Sequence, residues 1–352
     1  MVRSDSGAFL RSGEQTAGIN NLMLFYNGHY KNDAGVWRKE QFIPYISYID
    51  AEGKPLEWLF DGALFLAKWS HSSNGFEESE EHPNDQKDWQ WYLDKTFAES
   101  GELSALNEAM EEVALLLADS EHKMKVVLMI PYPAPNQQNF GAISDDSNSL
   151  CFDHTIVSAV EATRNKQKAL EWYIGQLLER WESADLPFLE LKALYWMNEA
   201  VNTSVPYEEG LIGWTGDMVR AKGLKFFWIP YYRASLYWKW KELGFDAAAM
   251  QPNHFFTKTG ESRVGIAANM AKQAGMGVEI EVDSRVFESN GDFREKYENY
   301  LAGGARYGYS GDVFKGYYQD VKLLFDAAYA AEPEKRDIYD LTYQFIKGRY
   351  KR

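Results

Sequence analysis

The chain is poor in cysteine and in positive charge, and it has no long apolar run. Only Cys151 among 352 residues is a cysteine, which excludes an internal disulfide and a cysteine-based metal cluster. No stretch of about 18 apolar residues occurs, so the sequence predicts no membrane span. The 37 lysines and arginines against 52 acidic residues give a net charge of −15. This charge argues against nucleic acid and anionic membranes as partners, because both are polyanions.

Signature motifs of several enzyme classes are also missing. No GxGxxG or GK[ST] turn follows an early strand, which argues against a nucleotide-binding enzyme, and no GxSxG elbow supports a serine nucleophile. The six histidines show no HxH or HExxH spacing. We therefore expect no metal and no cofactor. A metal-dependent hydrolase remains an alternative, because His29, His71 and His254 all follow predicted strands and could reach one barrel mouth.

Apolar runs alternate with segments of helical periodicity eight times along the chain. The predicted strands are residues 22–26, 58–66, 126–130, 191–196, 224–229, 247–251, 277–282 and 305–309. The main predicted helices are residues 37–48, 89–117 with a break near Gly101, 166–181, 211–219, 234–243, 264–274, 320–331 and 336–348.

This alternation favours an α/β fold of the (β/α)8 TIM barrel type, as a single domain, over an open doubly wound sheet. With 45% hydrophobic residues, the chain can bury a large core. We expect residues 1–20 to form an N-terminal extension and residues 21–352 to form the barrel with its C-terminal helices.

Two of the predicted strands end in carboxylates. The fourth runs into Asn198 and Glu199, and the seventh carries Glu279, Glu281 and Asp283 on one face, since side chains alternate along a strand. Barrel enzymes hold their active sites at the carboxyl ends of the strands, and strands four and seven lie on opposite sides. A facing pair of carboxyl groups is what glycosidic cleavage requires. The alternative for either glutamate is a structural ion pair.

The sequence thus predicts a glycoside hydrolase with a retaining mechanism, in which Glu199 is the acid/base and Glu281 the nucleophile. Glu279 lies deeper by about 7 Å at the usual rise and is the reserve catalytic candidate. It could instead hold an arginine, orient Glu281, or supply a protonated acid through repulsion between the two glutamates.

Residues near the other strand ends offer hydroxyls, amides and flat rings, which suit sugar hydroxyls and the apolar faces of sugars. The predicted substrate-binding residues are Tyr26, Asn27, His29, Trp69, Tyr132, Trp196, Asn198, Tyr231, Tyr232, Arg233, Gln251, Asn253 and His254. For each aromatic residue, packing at the rim is the alternative. Asp61 lies low in strand two and is predicted to be structural.

The two strand ends resemble the clan A (β/α)8 glycoside hydrolases. This resemblance implies that Glu199 is the acid/base, that Glu281 is the nucleophile and that Asn198 binds the 2-hydroxyl of the substrate. A second glutamate on strand seven departs from the clan pattern.

Over nearly its full length the chain resembles a bacterial family, domain of unknown function 4855, whose label implies no established reaction. The segments that carry this likeness are Phe60-Asp61-Gly62, Ile130-Pro131-Tyr132-Pro133, Tyr195-Trp196-Met197-Asn198-Glu199, Trp228-Ile229-Pro230-Tyr231-Tyr232, Gln251-Pro252-Asn253 and Gly277-Val278-Glu279-Ile280-Glu281.

We expect the substrate to be an oligosaccharide or polysaccharide of plant, algal or host origin. The local cations Lys68, Arg233 and Arg306 leave room for an acidic sugar. The first residues lack a signal-peptide core. We nevertheless expect a periplasmic or extracellular protein whose signal has been removed, with a cytoplasmic location as the alternative. A glycan-binding barrel without catalysis is the main functional alternative. The sequence gives no indication of the oligomeric state.

Overall fold

Strands and helices alternate along the part of the chain that the computed structural model describes, which is residues 7–78, 81–144, 148–289 and 291–351. In chain order the elements are β1 (Asn21–Tyr26), α1 (Lys39–Ile46), β2 (Ser47–Ile49), β3 (Pro55–Trp58), β4 (Gly62–Leu66), α2 (Gln86–Thr96), α3 (Glu102–Leu116), β5 (Met124–Ile130), α4 (Ala159–Ser183), β6 (Leu189–Trp196), α5 (Glu208–Ala221), β7 (Lys225–Trp228), β8 (Ala247–Met250), α6 (Ser262–Ala274), β9 (Gly277–Glu281), α7 (Asp292–Tyr307), β10 (Lys315–Tyr318), α8 (Leu323–Ala328) and α9 (Pro333–Ile346).

Eight of these strands close into a parallel barrel in the order β1-β10-β9-β8-β7-β6-β5-β4. Closure is visible at Leu22, which pairs with Gly62 on one side and with Gly316 on the other. Helices cover the outside of the sheet, so β1, β4 and β5 are apolar and buried on both faces. The predicted (β/α)8 TIM barrel is confirmed.

The second predicted strand combines two separate elements. Residues 55–58 form β3, which pairs antiparallel with β2, and the barrel strand β4 begins only at Gly62. Asp61 stands between them and accepts hydrogen bonds from the backbone N–H groups of Asn20 and Asn21, with the shortest at 2.7 Å. Asp61 therefore ties the starts of β1 and β4 together at the amino-terminal end of the barrel, which is a structural role.

The prediction of strand eight at residues 305–309 is wrong, because this stretch contains the end of α7. The helix stops at Gly308, whose φ of +84° is left-handed. The true eighth barrel strand is β10, with the sequence Lys-Gly-Tyr-Tyr. Lys315 is fully buried, and its ammonium group donates to the carbonyl oxygens of Gly311 at 2.8 Å and Val313 at 2.5 Å. A strand that opens with lysine and glycine gives no apolar run to detect.

The helix predicted at residues 234–243 is also wrong, since only a 3₁₀ turn at Tyr237–Lys239 forms there. Leu236 has a left-handed φ of +59°, which interrupts a helix before it can propagate. The predicted break near Gly101 does separate α2 from α3, and α8 and α9 occupy the predicted C-terminal helical stretches.

The described residues that precede β1 run across the amino-terminal end of the barrel. Leu10 is buried, donates its N–H to the carbonyl of Met276 at 3.1 Å and accepts the N–H of Phe314 at 2.8 Å. These two partners immediately precede β9 and β10. None of the described helices is both long and apolar enough to cross a membrane.

Candidate active site

A pocket of about 300 Å³ lies at the carboxyl ends of the barrel strands. Seven of the predicted site residues line it, namely Tyr26, Glu199, Tyr231, Gln251, Asn253, Glu279 and Glu281. Six further residues complete the lining, namely Leu24, Lys68, Tyr195, Ile229, Phe256 and Tyr318. The pocket thus draws on β1, β4, β6, β7, β8, β9 and β10 or on the loops that follow them, at the end of the barrel where enzymes of this fold act.

Glu281 is the last residue of β9 and is only 1% exposed. One carboxylate oxygen accepts the backbone N–H of Asn253 at 2.9 Å, and the other accepts the hydroxyl of Tyr300, which lies on α7. The Tyr300 oxygen itself accepts the backbone N–H groups of His254 and Phe255, at 2.9 and 3.2 Å. Its proton is therefore directed at Glu281, and the carboxylate is held in one orientation by two donors.

Asn253 reaches Glu281 through an unusual backbone conformation. Its φ of +51° is left-handed, which costs free energy for a residue other than glycine. The turn that follows is held by the hydroxyl of Thr257, which donates to the Asn253 carbonyl at 2.7 Å. The left-handed turn at Asn253 directs its N–H at the Glu281 carboxylate.

The pKa of Glu281 is raised to about 7, because burial disfavours the charged form. Hydrogen bonds from Tyr300 and Asn253 stabilise the anion and lower the pKa, whereas the charge of Glu199 raises it. The two donors therefore allow a buried carboxyl group to ionise near neutral pH.

Glu199 follows β6 and is partly buried at the opposite side of the pocket. Its pKa is also raised to about 7, first by burial and then by the negative charge of Glu77, while a hydrogen bond from Gln251 and the charge of Lys68 lower it. Lys68 and Glu77 form an ion pair at 3.1 Å. A glutamic acid with this pKa can both give and take a proton at neutral pH.

Glu279 lies below Glu281 on β9 and is 3% exposed. Burial raises its pKa well above the usual range, and the charges of Glu281 and Glu199 raise the pKa further. The pocket therefore contains three carboxyl groups whose ionisation is coupled. Within the described chain, no three His, Cys, Asp or Glu side chains are arranged to hold a metal ion.

Aromatic rings form one wall of the pocket. Tyr318 at the end of β10 meets Tyr26 edge to face at 5.6 Å between centroids and Phe256 at 5.5 Å. Tyr231 is 45% exposed on the rim. Flat rings beside carboxyl groups suit a sugar, which has apolar faces and polar edges.

Three predicted binding residues are buried in the scaffold instead of lining the pocket. Asn27 donates to the Thr96 hydroxyl and accepts from the Tyr92 hydroxyl, both at 3.0 Å, so it joins β1 to α2. Tyr132 donates to the carboxylate of Glu208 at 2.8 Å.

The third, Trp196, faces the outside of the barrel. Its ring packs edge to face on Tyr132 at 5.8 Å and on Phe226 at 6.1 Å. Because side chains alternate along β6, the neighbouring Tyr195 points inward and lines the pocket. The alternation was visible in the sequence, and because Tyr195 and Glu199 are an even number of residues apart, it would have favoured Tyr195 over the predicted Trp196.

Asn198 also has a different position from the one that the clan A resemblance implies. It is 5% exposed, and its side-chain oxygen accepts the backbone N–H of Glu78 at 3.2 Å. Its amide nitrogen donates to the carbonyl of Ala200 at 2.8 Å. The side chain thus connects the β4–α2 loop to the β6–α5 loop, and it does not line the pocket.

The remaining five predicted binding residues lie around the pocket without lining it. His29 and Arg233 are exposed, and Trp69 is 38% exposed. The Tyr232 ring is covered by the guanidinium group of Arg263 at 3.9 Å.

His254, the fifth, is 1% exposed, and its Nδ1 lies 3.2 Å from the hydroxyl of Thr259. Burial and the charges of Lys296 and Arg263 lower its pKa to about 4, so the ring is neutral at pH 7. The exposed His29 and His71 and the buried His254 do not converge as the metal-dependent alternative requires.

The predicted catalytic and substrate-binding residues leave out six of the residues that line the pocket. Tyr318 was missed because the eighth strand was placed ten residues too early. Phe256 was missed because it lies in the loop between β8 and α6, whose path no local pattern reveals. Leu24 and Ile229 have ordinary core side chains. Lys68 was recognised as a local cation, but nothing in the sequence indicated that it lies beside Glu77 and close to Glu199.

Solved structures that resemble the chain share little sequence with it. A mutant tryptophan synthase α-subunit from Pyrococcus furiosus is 7% identical, with a TM-score of 0.36 and coverage of 94% of this chain and 98% of that one. A Bacteroides ovatus GH5 xyloglucanase is 11% identical, with a TM-score of 0.43 and coverage of 97% and 80%. The GH20 modules of the pneumococcal exo-β-D-N-acetylglucosaminidase StrH are 10% identical, with a TM-score of 0.43 and coverage of 95% and 84%.

No curated protein sequence matches the chain. A family model described as Domain of unknown function (DUF4855) matches residues 21–344, which is nearly the whole length and agrees with the resemblance found in the sequence. The chain therefore belongs to the family known as domain of unknown function 4855.

Proposed function

We propose that the protein is a glycoside hydrolase in which Glu199 is the general acid/base and Glu281 is the nucleophile. The observation that carries this proposal is the convergence of the two carboxyl groups, from β6 and β9, on one pocket of about 300 Å³. Each has its pKa raised to about 7. Cleavage of a glycosidic bond needs one carboxyl group protonated and one ionised, and such a pair can populate that state near neutral pH.

The surroundings of the two groups support this division of labour. A nucleophile has to be ionised and fixed in orientation, and the Asn253 N–H and the Tyr300 hydroxyl provide both for Glu281. Glu199 is more accessible than Glu281, and Glu77 nearby favours its protonated form. It is therefore suited to exchange protons with the leaving group and with water.

The reaction would proceed in two steps. Glu281 attacks the anomeric carbon while the bond to the leaving oxygen breaks, and Glu199 gives its proton to that oxygen. Glu199 then takes a proton from water, which attacks the same carbon and displaces Glu281. The sugar product keeps the anomeric configuration of the substrate, and both carboxyl groups return to their starting protonation states.

The substrate class follows from the lining of the pocket. The rings of Tyr26, Tyr318 and Phe256 would stack on the apolar face of a sugar, and Gln251 would pair with its hydroxyls. We propose an oligosaccharide or polysaccharide. A substrate too large to enter a cell would require the protein to act in the periplasm or outside the cell.

The test is hydrolysis of a panel of aryl glycosides and polysaccharides by wild type, Glu199→Gln and Glu281→Gln. We expect kcat/KM to fall roughly 10²- to 10⁴-fold in both variants. Glu242→Gln is the matched control, because Glu242 is exposed and does not line the pocket. Full activity in either pocket variant would contradict the assignment.

Two further measurements separate the roles of the glutamates. A 2-deoxy-2-fluoroglycosyl fluoride of the sugar that is cleaved should label Glu281, as seen by peptide mass spectrometry, because a retaining enzyme forms a covalent intermediate. Proton NMR of the first product should show the anomer of the substrate. Label on Glu279 would identify Glu279 as the nucleophile. A product with the inverted anomeric configuration would show that the enzyme is inverting and not retaining. Glycan binding without any cleavage would identify a binding protein.

A further inference from the structure

The pocket contains one more carboxyl group than the proposed chemistry uses. Glu279 pairs with Gly316 in the register of β9 and β10, and it points into the barrel on the same face as Glu281. A Cβ atom placed on Gly316 would lie 3.6 Å from the Glu279 Cγ and 3.7 Å from one of its carboxyl oxygens. These are ordinary van der Waals distances, so Gly316 and the Glu279 carboxyl group are close neighbours inside the barrel.

The surroundings of Glu279 are mostly apolar. The side chain of Ile229 would lie 3.5 Å from the same Cβ position on Gly316, and Leu24 lines the same pocket. Tyr195 also lines it, and burial and then the charges of Glu199 and Glu279 raise the pKa of the Tyr195 hydroxyl. Among the described residues, no cation or hydrogen-bond donor acts on the Glu279 carboxyl group. Its charged neighbours are Glu281 and Glu199, and both carry the same sign of charge.

Burial, the lack of a cation and two acidic neighbours favour the neutral form of the Glu279 carboxyl group, because ionisation would add an unpaired charge to the floor of the pocket. The neutral acid has one O–H donor and keeps an acceptor oxygen. A sugar hydroxyl offers the matching donor and acceptor, whereas the apolar residues beside Glu279 offer neither.

We propose that Glu279 is a specificity-determining residue, which in its protonated form donates a hydrogen bond to the sugar hydroxyl that reaches deepest into the pocket. This inference rests on the proposed function, because it concerns the substrate of the same site. Sugars that lack a hydroxyl at that position would leave the buried acid without a partner and would be poor substrates.

The first experiment tests the protonation of Glu279 without any substrate. Infrared spectra of wild type and Glu279→Gln are compared at about pH 8, where Glu199 and Glu281, with pKa values near 7, are mostly ionised. We expect the wild type to show the C=O stretching band of a protonated carboxyl group, and we expect Glu279→Gln to lose it. If the substitution removes no such band, the proposal is overturned, whether or not a cleavable substrate has been found.

The second experiment tests recognition with p-nitrophenyl glycosides of the sugar that is cleaved and with their monodeoxy analogues. Glu279→Gln keeps a donor and the shape, so we expect it to retain more of the wild-type kcat/KM than Glu279→Met does. Glu279→Met removes the donor, so we expect kcat/KM to fall about 10- to 100-fold, mainly through KM. For the monodeoxy analogue that lacks the hydroxyl bound by Glu279, wild type and Glu279→Met should have the same kcat/KM.

Three outcomes of the second experiment would contradict the proposal. One is a Glu279→Met variant as active as wild type on every glycoside. Another is an equal loss on all monodeoxy analogues in a variant with wild-type melting temperature, which would show that no particular hydroxyl is recognised. The third is a loss in Glu279→Gln as large as that in Glu281→Gln, which would make Glu279 part of the chemistry. Activity that survives in Glu199→Gln and Glu281→Gln would instead contradict the proposed function while leaving the infrared result for Glu279 intact.

Discussion

At the scale of single residues, the site depends on how one buried carboxylate is kept ionisable. Tyr300 and the Asn253 N–H act on Glu281 from two directions, and together they oppose the effect of burial on its pKa. Tyr300 can only donate to Glu281, because its oxygen already accepts two backbone N–H groups. This arrangement leads to a prediction about pH dependence.

We expect the pH profile of kcat/KM to be bell-shaped and centred near neutral pH. Below about pH 7 Glu281 gains a proton and no longer attacks, and above about pH 7 Glu199 loses the proton that the leaving group needs. Because the carboxyl groups interact, the two limbs report the pair as a unit and not either residue alone.

In Tyr300→Phe the anion of Glu281 loses a donor, so the pKa of Glu281 rises. We expect the acidic limb to move up by about 1 pH unit, since a hydrogen bond to a charged group contributes about 1.5–3 kcal/mol. The alkaline limb should move little. Tyr207→Phe is the control, because Tyr207 is exposed and does not line the pocket. An acidic limb that stays in place would show that Tyr300 does not act on the ionisation of Glu281.

At the scale of secondary-structure elements, two loops form the side of the pocket that holds Glu199. The Asn198 side chain connects them by accepting the Glu78 N–H from the β4–α2 loop and donating to Ala200 in the β6–α5 loop. A second connection runs from the amide of Asn202 to the Glu78 carboxylate at 2.5 Å. Glu77 and Lys68, which act on the pKa of Glu199 in opposite directions, are part of the same region.

We predict that Asn198→Ala releases this connection. Hydrogen exchange should speed up in the peptide that covers residues 70–78, and the free energy of unfolding should fall by about 1–3 kcal/mol. Because burial and Glu77 both raise the pKa of Glu199, a looser contact should move the alkaline limb to lower pH. Asn202→Ala, which removes only the exposed connection, should have a smaller effect on all three measurements.

Asn198→Ala also distinguishes a role of Asn198 in holding the two loops from direct binding of the substrate's 2-hydroxyl. If Asn198 acts by holding the loops, kcat/KM should fall by the same factor on a glycoside and on its 2-deoxy analogue. If Asn198 contacts the 2-hydroxyl, the loss should disappear on the 2-deoxy analogue, because the contact is already missing there.

The elements also show where sequence patterns carry information and where they do not. The buried strands β1, β5 and β6 are apolar runs, so periodicity finds them. β10 has no such run, because Lys315 begins it and pairs with carbonyl oxygens instead of packing, and Gly316 follows. The apolar pattern therefore favours residues 305–309 in its place. The helix predicted at 234–243 failed for a related reason, since the left-handed backbone at Leu236 leaves no trace in an apolar pattern.

For the site, the positions of strand ends were informative and the partners of side chains were not. Glu199, Glu279 and Glu281 could be placed at one barrel mouth from strand order alone. Asn27, Tyr132 and Asn198 have the right chemistry and the right strand ends, yet each is satisfied by a scaffold partner far away in sequence, such as Thr96 for Asn27 and Glu208 for Tyr132. Such partners depend on the packed tertiary structure, which local patterns do not contain.

At the scale of the whole molecule, three carboxyl groups whose ionisation is disfavoured in the fold are expected to reduce the stability of this acidic protein. Each of Glu199, Glu279 and Glu281 has its pKa raised in the folded state. At these three groups the folded protein therefore binds more protons than the unfolded chain above about pH 4.5, and their contribution to stability falls as the pH rises through that window. For Glu281 the loss ends near pH 7, where the folded state also releases the proton.

Glu281→Gln removes the titrating group and keeps its shape, so its melting temperature reports how the ionisation of Glu281 affects stability. The variant should melt close to wild type below about pH 4, where Glu281 is protonated in both states. It should melt at increasingly higher temperature than wild type up to about pH 7 and keep that advantage above it, because the gain grows by roughly 1.4 kcal/mol per pH unit at most. Removing the charge of Glu281 also eases ionisation of Glu199 and Glu279, which acts in the same direction.

The measurement is the melting temperature of wild type, Glu281→Gln and the exposed control Glu242→Gln across this pH range. Glu242→Gln should follow wild type at every pH. A difference between Glu281→Gln and wild type that does not change with pH would show that Glu281 is already ionised in the folded protein at acidic pH. If Glu281→Gln is inactive and is more stable than wild type only above about pH 5, the ionisable Glu281 lowers the stability of the folded protein. Such a cost is expected where a residue is retained for function.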